Sequence, residues 1–180
     1  MSERRAGVMG WPVAHSKSPA LHGYWLRYYG IAGSYIRIPV KPEDLAAELR
    51  ALPERGFAGA NLTVPHKEAA LAFVDDVTEE ARRIGAANTI FIEGARLRAA
   101  NTDAYGFITN LTAGAPAFKA EAGPAVVLGA GGAARAVCFA LKAAGVPEVR
   151  IVNRTTARAE MLARDFGLVV RGWDERESVL

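Results

Sequence analysis

The sequence predicts an α/β fold in two domains, and two observations carry this prediction. Short apolar strands alternate with helical stretches along almost the whole chain. After Pro124 a fully apolar strand, residues 125–128, runs directly into the glycine-rich segment 129–134, a change to the pattern of a buried parallel sheet. The turn-rich stretch 112–117 separates the two patterns. We therefore predict an α/β domain over residues 1–111 and a Rossmann-like dinucleotide-binding domain over 118–180, of which only the first βαβαβ half is present.

Composition excludes several classes of protein. Of 180 residues, 51% are hydrophobic and 23% charged, which is typical of a globular chain and not of a disordered or coiled-coil one. The 22 basic and 19 acidic residues are interspersed along the chain. The sequence therefore lacks the basic stripe that is typical of nucleic-acid-binding proteins, and we expect no nucleic-acid partner. No apolar run approaches the length of a membrane span, and the N-terminus lacks the apolar core of a signal peptide. The single cysteine, Cys138, fits a reducing compartment and lies in a helical pattern as a small buried side chain. We expect a cytoplasmic protein with no membrane partner.

The first domain has a strand or helix signal in every stretch of about ten residues. Ser18-Pro19 predicts the start of a helix that stops at Gly30, with Ser18 as its N-cap. Leu45 and Leu49 predict the buried face of a second helix. Glu93-Gly94 predicts the turn of a β-hairpin. In order, we predict strand 7–10, helix 18–30, strand 34–40, helix 42–52, strand 59–64, helices 67–74 and 78–84, hairpin strands 88–92 and 97–100, and helix 103–111.

The second domain reads as an uninterrupted βαβαβ series. Strand 125–128 is followed by a helix that ends at Gly145, and strand 149–152 by helix 156–166 and a strand near 168–170. Glycine-rich segments are weak signals alone, but this one follows a strand and opens a helix inside a βαβ unit. Gly129 permits a tight turn, Gly131 lets backbone N–H groups approach a pyrophosphate, and Ala134 packs helix against strand. The helix N-terminus then offers partial positive charge to phosphates. A dinucleotide is the predicted cofactor.

The end of the second strand of this unit predicts which dinucleotide binds. An NAD site usually places Asp or Glu there to accept hydrogen bonds from the ribose hydroxyls. This chain has Asn153, Arg154 and Thr155, with Arg158 one turn later. A carboxylate would repel a 2′-phosphate, whereas guanidinium groups bind phosphate through paired hydrogen bonds. NADP(H) is therefore the predicted cofactor.

Four polar clusters in the first half of the chain are not required by core packing. Each lies where a strand ends or a helix starts, a position from which loops present side chains to ligands. Taken singly, each has a structural explanation: Ser18 and Asp103 could cap helices, Asn88 a turn, and Lys67 could be solvated. The clusters are Ser16-Lys17-Ser18, residues 61–67 (NLTVPHK), residues 85–89 (GAANT) and residues 101–106 (NTDAYG).

Together these clusters and the glycine-rich motif resemble the shikimate dehydrogenase family, from Gly10 to Arg158, in the family's order. The resemblance implies reduction of 3-dehydroshikimate to shikimate with NADPH, in aromatic amino-acid biosynthesis, with no metal. It implies Lys67 as the catalytic acid/base, paired with Asp103. Substrate contacts are implied at Ser16, Ser18, Asn61, Thr63, Asn88 and Asp103. Cofactor contacts are implied at Glu79, Gly129, Ala130, Gly131, Gly132, Ala133, Asn153, Arg154, Thr155 and Arg158.

Two alternatives stay open at this point. A quinate/shikimate dehydrogenase would share the fold with relaxed choice of substrate and cofactor. A non-catalytic homologue could keep the scaffold and bind the same ligands, although Lys67 and Asp103 are both present. Members of the family continue through a second βαβαβ half and a C-terminal helix that returns to the first domain, so this sequence is either a piece of a longer chain or a short protein. The resemblance also leaves a homodimer open.

Overall fold

The structure, a computed structural model, describes residues 4–179. The chain divides into two compact units, Met1–Asn101 and Thr102–Leu180, and each is an α/β unit. The division lies ahead of the predicted boundary at 112–117. The helix after Thr102 packs on a helix of the second unit, so it groups with the C-terminal part of the chain.

The first unit is a six-stranded mixed sheet with helices around it. β1 is parallel to both β2 and β3, whereas β5 is antiparallel to β3 and β6. The strand order is β2-β1-β3-β5-β6-β4. Its elements are β1 (Arg4–Gly10), α1 (Ser18–Tyr28), β2 (Gly33–Pro39), α2 (Leu45–Ala51), β3 (Phe57–Leu62), α3 (His66–Ala69), β4 (Asp76–Val77), α4 (Glu79–Ile84), β5 (Thr89–Glu93) and β6 (Arg96–Ala100).

The core of this unit lies between α2 and one face of the sheet. Leu45 and Leu49 are fully buried, as their spacing predicted, and they belong to one apolar cluster with Met9, Ile90 and Leu97. Helix α1 differs, because none of its residues is fully buried. The predicted hairpin is confirmed as β5 and β6. The short strand β4, parallel to β6, had no sequence prediction because two residues carry no periodic pattern.

One helix start was predicted wrongly. Ser18 is the first helical residue of α1, and the N-cap position belongs to Lys17, whose side chain makes no capping hydrogen bond. The Ser16 hydroxyl takes part of that role, since it accepts a hydrogen bond from the Ser18 backbone N–H at 3.3 Å. The serine whose hydroxyl binds a backbone N–H at the start of α1 is therefore Ser16, two residues before the predicted N-cap.

The second unit confirms the predicted βαβαβ series. Helix α5 precedes it, and the three strands form a parallel sheet in the order β7-β8-β9. Cys138 is fully buried in its core beside Ile151, and burial raises the pKa of the thiol to about 11, as expected of an inert apolar side chain. The elements are α5 (Asp103–Gly114), β7 (Ala125–Leu128), α6 (Gly132–Ala143), β8 (Val149–Val152), α7 (Thr156–Phe166) and β9 (Val169–Arg171).

Candidate functional site

The loop after β1 carries Ser16, and the first position of α1 carries Ser18; both predicted substrate residues are half-buried. The Ser16 N–H donates to the Val13 carbonyl at 3.0 Å. The Arg37 guanidinium on β2 donates twice to the Ser16 carbonyl, at 2.7 and 3.2 Å. The loop is therefore held from both sides, and a positive charge lies beside it, which favours binding of an anion.

The loop after β3 lies against the end of β1. The Thr63 N–H donates to the Met9 carbonyl at 2.9 Å, and the Trp11 N–H donates to the Val64 carbonyl at 3.0 Å. A Cβ atom on Gly10 would collide with Thr63 Cγ2, so only glycine permits this approach. The end of β1 thus brings Thr63 toward the loop that carries Ser16.

Helix α3 positions Lys67, whose side chain is half-buried. The neighbouring His66 is buried, with its Nε2 atom 2.8 Å from the Val40 carbonyl, so the start of the helix is fixed to the end of β2. The Lys67 carbonyl accepts a hydrogen bond from the Ala87 N–H at 2.7 Å. Lys67 therefore lies next to the segment that contains Asn88.

A chain of side-chain hydrogen bonds crosses the sheet from β2 to Asn88. The Tyr35 hydroxyl donates to Asn61 Oδ1 at 2.7 Å. Asn61 Nδ2 donates to the Asn88 carbonyl and to Thr89 Oγ1, both at 3.2 Å. The Thr89 hydroxyl donates to Asn88 Oδ1 at 2.9 Å. Sequence reasoning found the two asparagines but missed Tyr35, which belongs to no motif; its one signal is that it shares a face of β2 with Arg37, two residues away.

Tyr35 is packed as well as hydrogen-bonded. Its ring stacks on His22 of α1, with centroids 4.0 Å apart and planes 6° from parallel. Burial raises the pKa of Tyr35 to about 12 and lowers the pKa of His22 below its usual value. The phenol therefore stays protonated and remains a donor throughout the physiological pH range.

Two other predicted residues lie at helix starts. Asp103 is the first residue of α5 and is half-buried. Its pairing with Lys67 stays a prediction. Glu79, the first residue of α4, is exposed and forms an ion pair with Arg82 at 3.1 Å. The cofactor role implied for Glu79 also stays a prediction.

The glycine-rich segment of the second unit forms the turn between β7 and α6. Gly129 has a φ of 109°, a conformation that other residues rarely adopt, and its N–H donates to the Val152 carbonyl at 2.8 Å. Gly131 differs: its φ is −109°, and a Cβ atom there would meet no other atom within 4 Å. The fold therefore requires glycine at 129 but not at 131, where the open space is available to a ligand.

The end of β8 lies beside this turn, because Leu128 and Val152 are partners in the parallel sheet. Asn153 Nδ2 donates to the Thr155 carbonyl at 2.8 Å, which shapes the connection to α7. Arg154 and Arg158 are exposed, and in the described part of the chain neither makes an ion pair. Two exposed guanidinium groups that form no ion pair among the described residues therefore follow the end of β8.

These donors fit a dinucleotide with a 2′-phosphate. The 12-residue helix α6 has no acidic residue in its first turn, so its N-terminal N–H groups suit a pyrophosphate. The small residues at 130–134 leave room for close approach. Arg154 and Arg158 suit the additional phosphate, and the end of β8 holds no carboxylate to repel it.

A cavity of about 390 Å³ lies elsewhere in the first unit, between α1 and the sheet. It is mainly apolar and is lined by Trp25, Leu26 and Phe91, together with Tyr35, Asn61 and Thr89. Of the predicted substrate residues only Asn61 reaches it. The cavity is therefore distinct from the loops that carry the other predicted contacts.

Comparison with known proteins agrees with this arrangement. The sequence pattern of the shikimate dehydrogenase substrate-binding domain matches residues 8–90, and that of shikimate/quinate 5-dehydrogenase matches residues 115–177. A shikimate dehydrogenase (NADP(+)) of Ruegeria sp. strain TM1040 is 52% identical over 186 residues, which span this whole chain and 67% of that protein. The chain belongs to the shikimate dehydrogenase family.

Other members of the shikimate dehydrogenase family show similar agreement. The enzyme named shikimate dehydrogenase (NADP(+)) from Paracoccus denitrificans strain Pd 1222 is 56% identical over 97% of this chain and 63% of its own length. The crystal structure of shikimate 5-dehydrogenase from Thermus thermophilus in complex with NADP(H) and shikimate is 49% identical, with a TM-score of 0.85 over 96% of this chain and 64% of that one. The chain thus spans about two thirds of the length of its relatives. Among the residues described, no helix is long and apolar enough to cross a membrane.

Proposed function

We propose that this chain binds shikimate and NADP(H) as part of an enzyme that reversibly reduces 3-dehydroshikimate to shikimate. The observation that carries the proposal is the convergence of the loops after β1 and β3 with α3, which brings Ser16, Thr63 and Lys67 to one end of the first unit's sheet. The names of the relatives support the same chemistry.

The substrate is a small acid with several hydroxyl groups, and the residue types suit it. Ser16, Ser18 and Thr63 offer hydroxyl groups, with the Arg37 charge nearby to favour the carboxylate. Asn88 and Asp103 offer an amide and a carboxylate to the ring hydroxyls. A site that hydrogen-bonds each hydroxyl rejects analogues that lack one.

Lys67 is the proposed acid/base. Bound NADPH supplies a hydride to the ketone carbon of the substrate. The carbonyl oxygen then needs a proton, which the Lys67 ammonium group donates, and in the reverse direction the neutral amine removes it. Asp103 orients Lys67 and accepts a hydrogen bond from the neighbouring hydroxyl. General acid–base assistance of this kind contributes about 10²–10⁴-fold.

Relaxed choice of substrate is the second candidate function. The pattern matched by residues 115–177 covers both shikimate and quinate 5-dehydrogenases, which favours keeping quinate as an alternative substrate. A non-catalytic binding role is the third, and it predicts binding without turnover. We also propose a cytoplasmic location, in keeping with the single buried cysteine, and a homodimer remains a prediction.

The deciding experiment combines turnover with binding. Absorbance at 340 nm is followed with shikimate or quinate, each with NADP⁺ or NAD⁺, and calorimetry measures the binding of each ligand separately. We expect binding of shikimate and of NADP⁺, and turnover strongest for that pair. Equal rates with quinate would support the relaxed enzyme. Binding of neither ligand would contradict the proposal.

A further inference from the structure

We propose that Tyr35 and Asn61 are positioning residues that fix the orientation of the Asn88 carboxamide, through a hydrogen-bond relay that ends at Thr89. The inference rests on the proposed function, in which Asn88 binds a hydroxyl of shikimate. It gives Asn61 an indirect role in place of the substrate contact that the family resemblance implies, and it adds Tyr35, which the sequence motifs do not include.

The direction of every hydrogen bond in this relay follows from one backbone atom. The Asn88 carbonyl can only accept, so the Asn61 atom 3.2 Å from it is the Nδ2 donor. Asn61 Oδ1 therefore faces Tyr35, and at 2.7 Å the phenol must donate to it.

The second half of the relay follows in the same way. Asn61 Nδ2 also donates to Thr89 Oγ1, so the Thr89 hydroxyl proton is available to the next group. That group is Asn88 Oδ1, at 2.9 Å. Because a carboxamide is planar, fixing its oxygen on Thr89 turns its Nδ2 donor to the opposite side. The relay therefore fixes the side to which each end of the Asn88 carboxamide points.

Asn61 itself is fully engaged by the protein on its donor side. Its two N–H groups are used by the Asn88 carbonyl and Thr89 Oγ1, and one acceptor position is used by Tyr35. Its side chain also lines the cavity beneath α1, which none of the other predicted substrate residues lines. A role for Asn61 in positioning Asn88 accounts for both observations.

Tyr35 holds the other side of the Asn61 carboxamide. If the phenol were absent, Asn61 Oδ1 would lose this donor, and the carboxamide would be held only through its bonds to the Asn88 carbonyl and Thr89, so the relay to Asn88 would be less firmly oriented. Because burial raises the pKa of Tyr35 to about 12, the phenol remains a donor throughout the pH range in which binding is measured. Stacking on His22 holds the ring in place.

The test uses the full chain with Tyr35→Phe, which keeps the ring and its stacking and removes only the hydroxyl. Tyr28→Phe, at a ring that is 69% exposed, is the matched control. Side-chain amide resonances of Asn88 are followed by ¹H–¹⁵N NMR, and shikimate and NADP⁺ affinities by calorimetry.

We expect Tyr35→Phe to shift the Asn88 side-chain resonances and to weaken shikimate binding about three- to tenfold, the effect of one neutral hydrogen bond. NADP⁺ affinity should not change, and Tyr28→Phe should alter neither ligand's binding. Thr89→Val, which removes the last link, should have the same effect, and the double variant should lose no more than Thr89→Val alone.

Unchanged Asn88 resonances in Tyr35→Phe, or additive losses in the double variant, would overturn the relay. The NMR measurement needs no ligand, so it separates the two proposals. If the unmodified chain fails to bind shikimate but Asn88 responds to Tyr35→Phe, the proposed function is wrong and the relay stands.

Discussion

The two candidate ligand-binding regions of this molecule differ in the kind of group that they present to a ligand. The turn between β7 and α6 presents backbone N–H groups, and its geometry follows from Gly129 and from the start of a 12-residue helix. The loops of the first unit present side chains held by contacts between distant segments, such as Arg37 on Ser16 and Tyr35 on Asn61. A backbone site depends on a contiguous motif, whereas a side-chain site depends on residues far apart in sequence.

The largest expected effect tests the chemistry of the side-chain site. Lys67→Ala should lower kcat at least about a hundredfold while shikimate affinity stays within a few-fold, because the proton is transferred only in the transition state. Steady-state kinetics at 340 nm, with Lys142→Ala on the exposed face of α6 as control, measures this. An active Lys67→Ala variant would rule out the acid/base role.

The backbone site is tested by two glycines that the structure distinguishes. Gly131→Val should leave the thermal midpoint nearly unchanged, because a Cβ atom at this position meets no other atom within 4 Å, but it should weaken NADP⁺ binding about ten- to a hundredfold by filling the ligand's space. Gly129→Val should lower the midpoint as well, because of its φ of 109°. If both variants bind NADP⁺ normally, this turn does not hold the cofactor.

The contrast between the sites also explains what the sequence could predict. The βαβαβ series and the glycine-rich turn were predicted because each depends on a local pattern: an apolar strand, small residues and a helix start. The relay was not predicted, because Tyr35, Asn61 and Thr89 meet only when β2, β1, β3 and β5 align in the sheet. Ser18 was misassigned as an N-cap because Ser16 competes for the same role.

The domain boundary is a second case in which local sequence patterns did not predict how elements pack together. The stretch 112–117 spans the C-terminal end of α5, which ends at Gly114, but the helix itself groups with the second unit. Local turn signals mark the end of an element and carry no information about which neighbour that element packs against. Packing of α5 on α6 decides that.

Cofactor choice gives an intermediate effect. Arg154→Ala should weaken NADP⁺ binding about tenfold and leave the weak binding of NAD⁺ unchanged, because only NADP⁺ carries the 2′-phosphate. Calorimetry with both cofactors measures it, with Arg164→Ala in the last turn of α7 as control. An equal loss for both cofactors would mean that Arg154 supports the fold and does not select the phosphate.

The smallest expected effect concerns a side-chain contact that holds β6. The Leu97 N–H, which donates to Asp75 at 2.8 Å, lowers the pKa of Asp75, and the Arg50 and Arg96 charges lower it further. A depressed carboxyl pKa stabilises the fold above the unfolded-state value, near pH 4, and that stability is lost as the pH falls through the folded-state value.

Asp75→Asn should therefore lower the thermal midpoint slightly at pH 7 and converge with the unmodified protein as the pH falls below the lowered pKa of Asp75. Thermal unfolding monitored by circular dichroism across this range measures it, and Glu121→Gln, an exposed acid of the second unit, is the control. A constant difference at all pH values would show that the Asp75 charge does not matter.

An NMR titration of the intact chain tests the division between the two sites most directly. Shikimate alone should shift the backbone amides around Ser16–Ser18, Thr63–Lys67, Asn88 and Asp103. NADP⁺ alone should shift those of residues 129–134 and 153–158. Shikimate shifts confined to the glycine-rich turn, or NADP⁺ shifts confined to the loops of the first unit, would contradict the account.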